Sequence, residues 1–199
     1  MIKIKPTTMA IAEVTKWLHH GEVLAAPTET AYGLLALATS ARAVKKVFKI
    51  KGRAPNQASA ILVADLKMAQ KYGKFSPVAL RLAKKYWPGP LTLVVPVRSM
   101  GRLARATIKD GYIGMRVPRQ KFLLKLLKKI NQPLTATSAN ISGQKNLYSA
   151  QQVIKQLQKR GLKFLVDGGN LPPRPTSTVV QIRDNHLKIL RPGAIKIKL

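Results

Sequence analysis

The chain is organised around residues 134–143, which read Leu-Thr-Ala-Thr-Ser-Ala-Asn-Ile-Ser-Gly. The stretch follows an Asn-Gln-Pro turn and begins as a buried strand, with Leu134 and Ala136 on one face. It then changes to small polar residues, whose hydroxyl and amide groups bind a ligand without keeping the backbone away from it. Because open α/β sheets bind ligands at strand ends of this kind, the pattern predicts a ligand-binding loop. A loop that only caps the following helix would use the same residue types.

Length and composition indicate one folded domain. The 199 residues are enough for a single well-packed core and few for two, and 46% of them are hydrophobic. No apolar run is long enough to span a bilayer, and the first residues lack the apolar core of a signal peptide. The absence of cysteine excludes disulfides, thiol catalysis and cysteine-ligated metal sites. We therefore expect a single domain over residues 1–199 that is cytoplasmic and makes no membrane contact.

The charge of the chain is strongly unbalanced. Lys and Arg number 36 against seven Asp and Glu, which gives a formal net charge of +29. Such an excess attracts polyanions through counterion release and free nucleotides through Coulomb steering. A lysine-rich genome is the alternative explanation, and pairs such as Lys45-Lys46 and Lys84-Lys85 have the spacing of solvated helix positions. Because lysine bias does not account for the scarcity of acids, we favour an attraction to nucleotides, tRNA or double-stranded RNA.

The few acids and histidines exclude several kinds of site. The seven carboxylates are scattered without a close pair, which argues against a two-carboxylate glycosidase and against a carboxylate-rich two-metal site. The three histidines are not spaced as metal ligands, so no residue is expected to hold a metal. The chain also lacks a GxSxG elbow, a P-loop and a GxGxxG fingerprint.

Apolar periodicity, capping residues and turn signals predict alternating helices and strands. Helices are expected at residues 8–20, 41–50, 66–72, 77–86, 118–130 and 150–160. Strands are expected at residues 22–26, 60–64, 91–97, 112–117, 164–166, 176–180 and 187–190, in addition to the strand that opens residues 134–143. Residues 98–111 are basic and irregular and are expected to form a mobile loop. Strands interspersed with helices predict an α/β domain with a mixed sheet.

Four motifs and two further segments occur in a fixed order along the chain. The motifs are 27–34 (PTETAYGL), 51–53 (KGR), 137–143 (TSANISG), and 177–180 (STVV) with 191–193 (RPG); the segments between them are 87–92 (WPGPLT) and 114–118 (GMRVP). Each is modest alone. In combination, over about residues 8–195, they closely resemble the YrdC-domain family of threonylcarbamoyl-AMP synthases in its short, single-domain form.

The resemblance implies both a fold and an activity. The implied fold is a twisted, mixed parallel and antiparallel sheet with flanking helices and a basic concave cleft. The implied activity is that of an L-threonylcarbamoyladenylate synthase, a nucleotidyltransferase that joins L-threonine, bicarbonate and ATP and releases pyrophosphate. Mg²⁺ is expected on the ATP phosphates. The product would be used by the tRNA-threonylcarbamoyl transferase machinery to modify the adenosine beside the anticodon.

The resemblance also assigns roles to nine residues. The expected catalytic residues are Lys51, Arg53, Ser138 and Asn140; the expected L-threonine ligands are Thr30, Arg116 and Ser177; and the expected nucleotide ligands are Arg53, Ser138, Asn140, Ser142 and Arg191. These residue types suit the reaction, because two anions must approach one another while negative charge builds on pyrophosphate. Positioning and preorganised charge can supply much of the acceleration without a covalent enzyme intermediate.

Other interpretations remain open. Thr30 could stabilise a turn, and Lys51 with Arg53 could complement a helix dipole, whereas a charge at Arg116 interrupts an apolar strand and would be costly if unpaired. The chain departs from the family pattern at Leu35, Leu37, Ala54, Ala58, Ser59 and Leu62, where we expect changes in substrate affinity and loop shape. The competing functions are a related protein of different activity and an RNA-binding protein with this fold but no synthase activity.

Overall fold

The helices and strands follow the apolar pattern of the sequence in a computed structural model, which describes residues 1–54, 57–98, 101 and 103–197. The helices are α1 (Ala10–His19), α2 (Ala41–Lys51), α3 (Leu66–Tyr72), α4 (Pro77–Tyr86), α5 (Lys121–Ile130) and α6 (Ala150–Leu157), with 3₁₀ turns at Arg105–Thr107 and Gln158–Arg160. The strands are β1 (Ile2–Ile4), β2 (Leu24–Pro27), β3 (Tyr32–Leu35), β4 (Ala60–Leu62), β5 (Leu91–Pro96), β6 (Ile108–Lys109), β7 (Tyr112–Arg116), β8 (Leu134–Ser138), β9 (Phe164–Val166), β10 (Thr178–Arg183) and β11 (His186–Arg191).

Side-chain oxygens begin five of these helices. In each case the capping side chain accepts a hydrogen bond from the backbone N–H three residues on, which would otherwise lack a partner inside the helix. The capping residues are Ser40, Asp65, Ser76, Gln120 and Ser149. Because these caps depend on residues close in sequence, the starts of most helices could be predicted from the sequence.

One mixed sheet joins the strands, in the order β1-β9-β2-β3-β8-β4-β7-β5-β10-β11, with β6 paired to β7. The sheet contains parallel pairs, such as β1 with β9 and β5 with β10, and antiparallel pairs, such as β2 with β3 and β5 with β7. The predicted mixed sheet with flanking helices is therefore confirmed. Strand β8 lies at its centre, where Ser138 pairs with Gly33 of β3 and Ala136 pairs with Ala60 of β4.

The helices cover the two faces of the sheet unequally. One hydrophobic cluster packs α1, α3, α4 and α5 against one face along most of the sheet. A second cluster packs α2 and α6 against the other face, and its strand residues come from β2, β3 and β9. On β5, Leu91, Leu93 and Val95 enter the first cluster. Thr92 and Val94 alternate with them and lie on the opposite face, in a part of it that α2 and α6 leave uncovered. An open concavity therefore lies beside β8.

Three strands differ from the prediction. Strands β1, β3 and β6 were not predicted, and β3 was assigned to the hydroxyl-rich turn before it. The expectation of an irregular loop at 98–111 is wrong for residues 105–109, which form a 3₁₀ turn and strand β6; residues 99, 100 and 102 lie outside the described residues. A strand of two residues carries no pattern of its own, and pairing of Ile108 with Ile113 defines it.

Candidate functional site

The uncovered half of the sheet forms one wall of a cavity of about 1050 Å³. Small side chains on this wall, including Ala60, Thr92 and Gly114, leave its centre open. The end of α2 and the loop after β8 form the facing wall. The nine residues singled out from the sequence all line this cavity: Thr30, Lys51, Arg53, Arg116, Ser138, Asn140, Ser142, Ser177 and Arg191. The structure brings them together, while their individual roles remain predictions.

Positive charge dominates the cavity lining. Six cationic side chains line it: Lys51, Arg53, Lys109, Arg116, Arg183 and Arg191. Among the described lining residues, Asp110 is the one carboxylate. The excess of positive charge in this cavity therefore favours an anionic ligand.

Lys51 ties the end of α2 to the loop after β8. Its ammonium Nζ donates to the backbone oxygen of Ser138 at 2.7 Å and to that of Asn140 at 3.0 Å. It also lies 2.7 Å from Asn140 Oδ1 and 3.3 Å from Ser138 Oγ. The Ser138 hydroxyl donates in turn to Asn140 Oδ1 at 2.5 Å. These bonds hold the Ser-Ala-Asn segment in one conformation at the cavity wall.

Two opposing influences act on the charge of Lys51: burial and Arg53 disfavour the ammonium form, and the surrounding oxygen atoms favour it. The residue is 5% exposed, and burial, followed by the charge of Arg53, lowers the pKa of Lys51 to about 8. The four oxygen atoms around Nζ favour the ammonium form, which has three donors to share among them. Lys51 is thus cationic at neutral pH and titrates just above it.

Arg53 follows Lys51 after a left-handed turn at Gly52, whose φ is 64°. Its guanidinium donates to the backbone oxygens of Gln57 at 2.8 Å and Ala58 at 2.5 Å, and to Thr137 Oγ1 at 3.2 Å. The guanidinium carbon lies 5.6 Å from the centre of the Phe48 ring. Burial lowers the pKa of Arg53, but an arginine in water titrates so high that the group stays charged.

Arg116, which lines the cavity, forms a buried ion pair with Glu29. Arg116 Nη1 lies 3.8 Å from Glu29 Oε1, and both side chains are 9% exposed. Burial lowers the pKa of Arg116, while the Glu29 carboxylate raises it. Within the described residues, Arg116 Nε and both Glu29 oxygens have no hydrogen-bond partner. Glu29 lies in the motif 27–34 but was not predicted as a site residue. An acid in a hydroxyl-rich turn of a chain with few acids was the signal that could have identified it.

Arg191 and Ser177 both line the cavity and are bonded to each other. Arg191 Nη2 donates to the Ser177 hydroxyl at 3.0 Å and to its backbone oxygen at 2.8 Å. The Ser177 hydroxyl shares a further hydrogen bond of 3.0 Å with Thr92 Oγ1; Thr92 ends the segment 87–92 but was not predicted as a site residue. Burial, followed by the charge of Arg116, lowers the pKa of Arg191. Arg116 and Arg191 therefore present two nearby cations to the cavity.

Thr30 lies in the turn that precedes β3. Its hydroxyl shares a hydrogen bond of 2.9 Å with Thr28 Oγ1, and the Thr28 hydroxyl donates to the backbone oxygen of Ala31 at 2.7 Å. This network shapes the turn, as one reading of the sequence expected, and still leaves Thr30 on the cavity lining.

Four of the departures from the family pattern also lie on the cavity wall: Leu35, Ala58, Ser59 and Leu62. At Ala58 the bond to Arg53 uses the backbone oxygen and does not depend on the side chain. Leu35 and Leu62 also enter the first hydrophobic cluster.

In residues 1–54, 57–98, 101 and 103–197 there is no group of three or more His, Asp or Glu side chains that could hold a metal ion. None of the described helices is both long and apolar enough to cross a membrane.

Comparison with known proteins gives consistent matches. The family model Sua5_yciO_yrdC, described as "Telomere recombination", matches residues 16–193. The chain is 35% identical over 186 residues to a threonylcarbamoyl-AMP synthase of Bacillus subtilis, and the match covers 93% of this chain and 54% of that protein. It is 34% identical over 185 residues to a threonylcarbamoyl-AMP synthase of Pyrococcus abyssi, and the match covers 92% of this chain and 53% of that protein. The chain thus spans about half the length of these relatives.

A solved structure matches as well. The structure of P. abyssi Sua5 complexed with L-threonine has a TM-score of 0.89 and 33% sequence identity to this chain. The match covers 97% of this chain and 58% of that one. The elements described above therefore recur in a protein crystallised with an amino acid.

Proposed function

Because the chain belongs to the Sua5/YciO/YrdC family, we propose that it is a threonylcarbamoyl-AMP synthase. The observation that carries the proposal is one cavity lined both by Lys51 and Arg53, at the end of α2, and by Arg116 and Arg191, at the ends of β7 and β11. Two anions that repel one another in water can be held together between two such pairs of cations. The proposal includes residues 1–199 as one domain, which is supported by a continuous sheet from β1 to β11.

We assign the L-threonine site to Arg116, Thr30 and Ser177. Arg116 supplies a buried guanidinium for the threonine carboxylate, and the two hydroxyls lie on the same cavity lining. The L-threonine complex of the P. abyssi relative supports this choice of ligand. The Glu29 carboxylate, 3.8 Å from Arg116 Nη1, offsets part of the guanidinium charge.

We assign the nucleotide to the adjoining part of the cavity, with Arg53, Ser138, Asn140, Ser142 and Arg191 as its ligands; Arg191 lies at the boundary, because it bonds Ser177 of the threonine site. The threonine amine bonds to the carbon of bicarbonate with loss of water, and an oxygen of the resulting carbamate attacks the α-phosphorus of ATP. The bond from that phosphorus to the β-phosphate oxygen then breaks, and pyrophosphate leaves with the charge that Lys51 and Arg53 offset. Magnesium enters as the magnesium complex of ATP, held by phosphate oxygens and water.

The product and the charge together suggest the partners. A threonylcarbamoyl adenylate is an activated acyl donor, so we expect transfer to tRNA by a tRNA-threonylcarbamoyl transferase. The net charge of +29 supports direct contact with tRNA or double-stranded RNA as well. We place the reaction in the cytoplasm.

The experiment that tests the activity measures pyrophosphate. Purified protein is incubated with magnesium and ATP, with and without L-threonine and with and without bicarbonate. Release that requires both L-threonine and bicarbonate is expected. If a folded sample binds RNA but releases no pyrophosphate in response to threonine, the chain is an RNA-binding protein with this fold and the synthase proposal is wrong.

Arg53→Ala tests the charge that faces the departing pyrophosphate. We expect turnover to fall at least ~100-fold, as for loss of a preorganised charge partner in the transition state. Arg42→Ala is the matched control, because Arg42 is an exposed arginine in the first turn of the same helix. Near-normal turnover of the Arg53 variant would remove Arg53 from the catalytic set.

A further inference from the structure

Arg160 lies outside every sequence motif and outside the cavity lining, yet it contacts the helix end that carries Lys51 and Arg53. It is the last residue of the 3₁₀ turn Gln158–Arg160 that follows α6. Its Nε donates to the backbone oxygen of Ile50 at 2.6 Å, and its Nη2 donates to that of Lys49 at 3.5 Å. These oxygens belong to the last turn of α2.

A helix leaves its last four carbonyl groups without partners inside the helix. In α2 all four are bonded. The turn itself supplies two donors: the N–H of Arg53 bonds the oxygen of Phe48 at 3.0 Å, and the N–H of Gly52 bonds that of Lys49 at 3.2 Å. The other two donors come from elsewhere in the chain. Arg160 bonds the oxygen of Ile50, and the N–H of Ser142 bonds that of Lys51 at 2.8 Å.

The Arg160 contact is well suited to hold this turn. A guanidinium carries positive charge, and the end of a helix carries partial negative charge, so the bond is stronger than one between neutral groups. Arg160 also packs on the turn directly, because a Cβ atom on Gly52 would lie 2.9 Å from its Nη2. A displacement of the last turn of α2 would move the side chains of both Lys51 and Arg53.

We propose that Arg160 is a positioning residue of the synthase, which caps α2 so that Lys51 and Arg53 keep their orientation toward the cavity. The catalytic part of this proposal rests on the proposed function. The structural part, the capping of α2, does not.

The test compares Arg160→Ala and Arg160→Lys with Lys159→Ala, which removes an exposed cation from the same turn. Amide hydrogen exchange at Gly52 and Arg53 reports the capping without requiring activity. We expect faster exchange in Arg160→Ala, limited to the end of α2 and Ser142. In the pyrophosphate assay we expect kcat to fall roughly 10- to 100-fold, as for a misplaced catalytic group, with an unchanged KM for L-threonine.

The lysine variant should recover much of the lost rate, because a lysine ammonium can also bond the last carbonyl groups of a helix. The Lys159 variant should behave as wild type. Unchanged hydrogen exchange at Gly52 and Arg53 in the Arg160→Ala variant would overturn the proposal. This result does not depend on the proposed function, because the exchange can be measured even if the wild-type protein releases no pyrophosphate. Equal losses of rate in the Arg160→Ala and Lys159→Ala variants would overturn it by assigning the effect to net charge. Faster exchange throughout the chain would overturn it by assigning Arg160 to general stability.

Discussion

Arg116 is a buried cation, and within the described residues its ion-pair partner is Glu29. Glu29→Gln keeps the shape of the side chain and removes its charge. We expect the free energy of unfolding to fall by about 3 kcal/mol, since loss of one partner leaves an uncompensated buried charge. Urea denaturation measures this change, and Glu13→Gln, at an exposed position of α1, is the control. A loss no larger than that of the control would mean that solvent or another group neutralises Arg116.

Lys51 predicts a pH dependence of the reaction. Its pKa of about 8 means that the ammonium is present below pH 8 and is lost above it. We therefore expect pyrophosphate release to decline above pH 8, by about tenfold per pH unit once the neutral amine predominates. Lys51→Arg, with a charge that does not titrate in this range, should show a lower rate without that decline. A wild-type rate that stays level to pH 10 would contradict the assignment.

The same pKa has the opposite effect on stability. The folded-state pKa of Lys51, about 8, lies below its ordinary value of 10.5, so between these two values the unfolded chain binds more protons than the folded one. The contribution of this group therefore raises the free energy of unfolding as pH rises through that window. Activity and this part of the stability should change in opposite directions, which separates loss of a catalytic charge from unfolding.

At the scale of elements, the segment after β11 holds the Ser177 side of the cavity by close backbone packing. A Cβ atom on Gly193 would lie 2.3 Å from the Thr176 oxygen and 2.6 Å from the Thr178 nitrogen, both of them backbone atoms. Gly193→Ala should therefore displace the segment, break the Arg191 bonds to Ser177 and cost about 1–3 kcal/mol of stability.

Thermal or urea unfolding together with the KM values for ATP and L-threonine checks this prediction. Ala194→Gly is the matched control, because it removes a methyl group at the adjacent, exposed position. Equal stability and equal KM values for the Gly193 variant and wild type would mean that the segment yields to the methyl group without disturbing Ser177.

Elements with local signals could be predicted, and elements defined by a partner could not. Ser40, Asp65 and Ser149 begin helices at the expected positions because a cap and its acceptor are three residues apart. Strand β3 was hidden behind the hydroxyl-rich turn, and its position depends on pairing with β2 and β8. Strands β1 and β6 have two or three residues each and likewise depend on the strands beside them.

At the scale of the whole molecule, the net charge of +29 predicts salt-dependent binding of RNA. If six or more phosphates are contacted, the affinity for a tRNA transcript should fall about 1,000-fold or more between about 50 and 200 mM salt. Titrations at several salt concentrations give the slope. A flat response would show that the lysines reflect composition alone. Competition by magnesium–ATP would show further whether the RNA occupies the cavity.

The sequence by itself determined which residues form the helices and most of the strands and that the sheet is mixed, and its resemblance to a known family singled out nine residues that line the cavity. Those features depend on local periodicity, caps and short motifs. The tertiary structure alone decided that Glu29 pairs with Arg116, that Thr92 supports Ser177, and that Arg160 caps α2. Lys51 meets its partners 87 and 89 residues along the chain, and Arg160 meets Ile50 across 110 residues. Contacts at such separations depend on how the sheet is assembled, and no short pattern in the sequence encodes them.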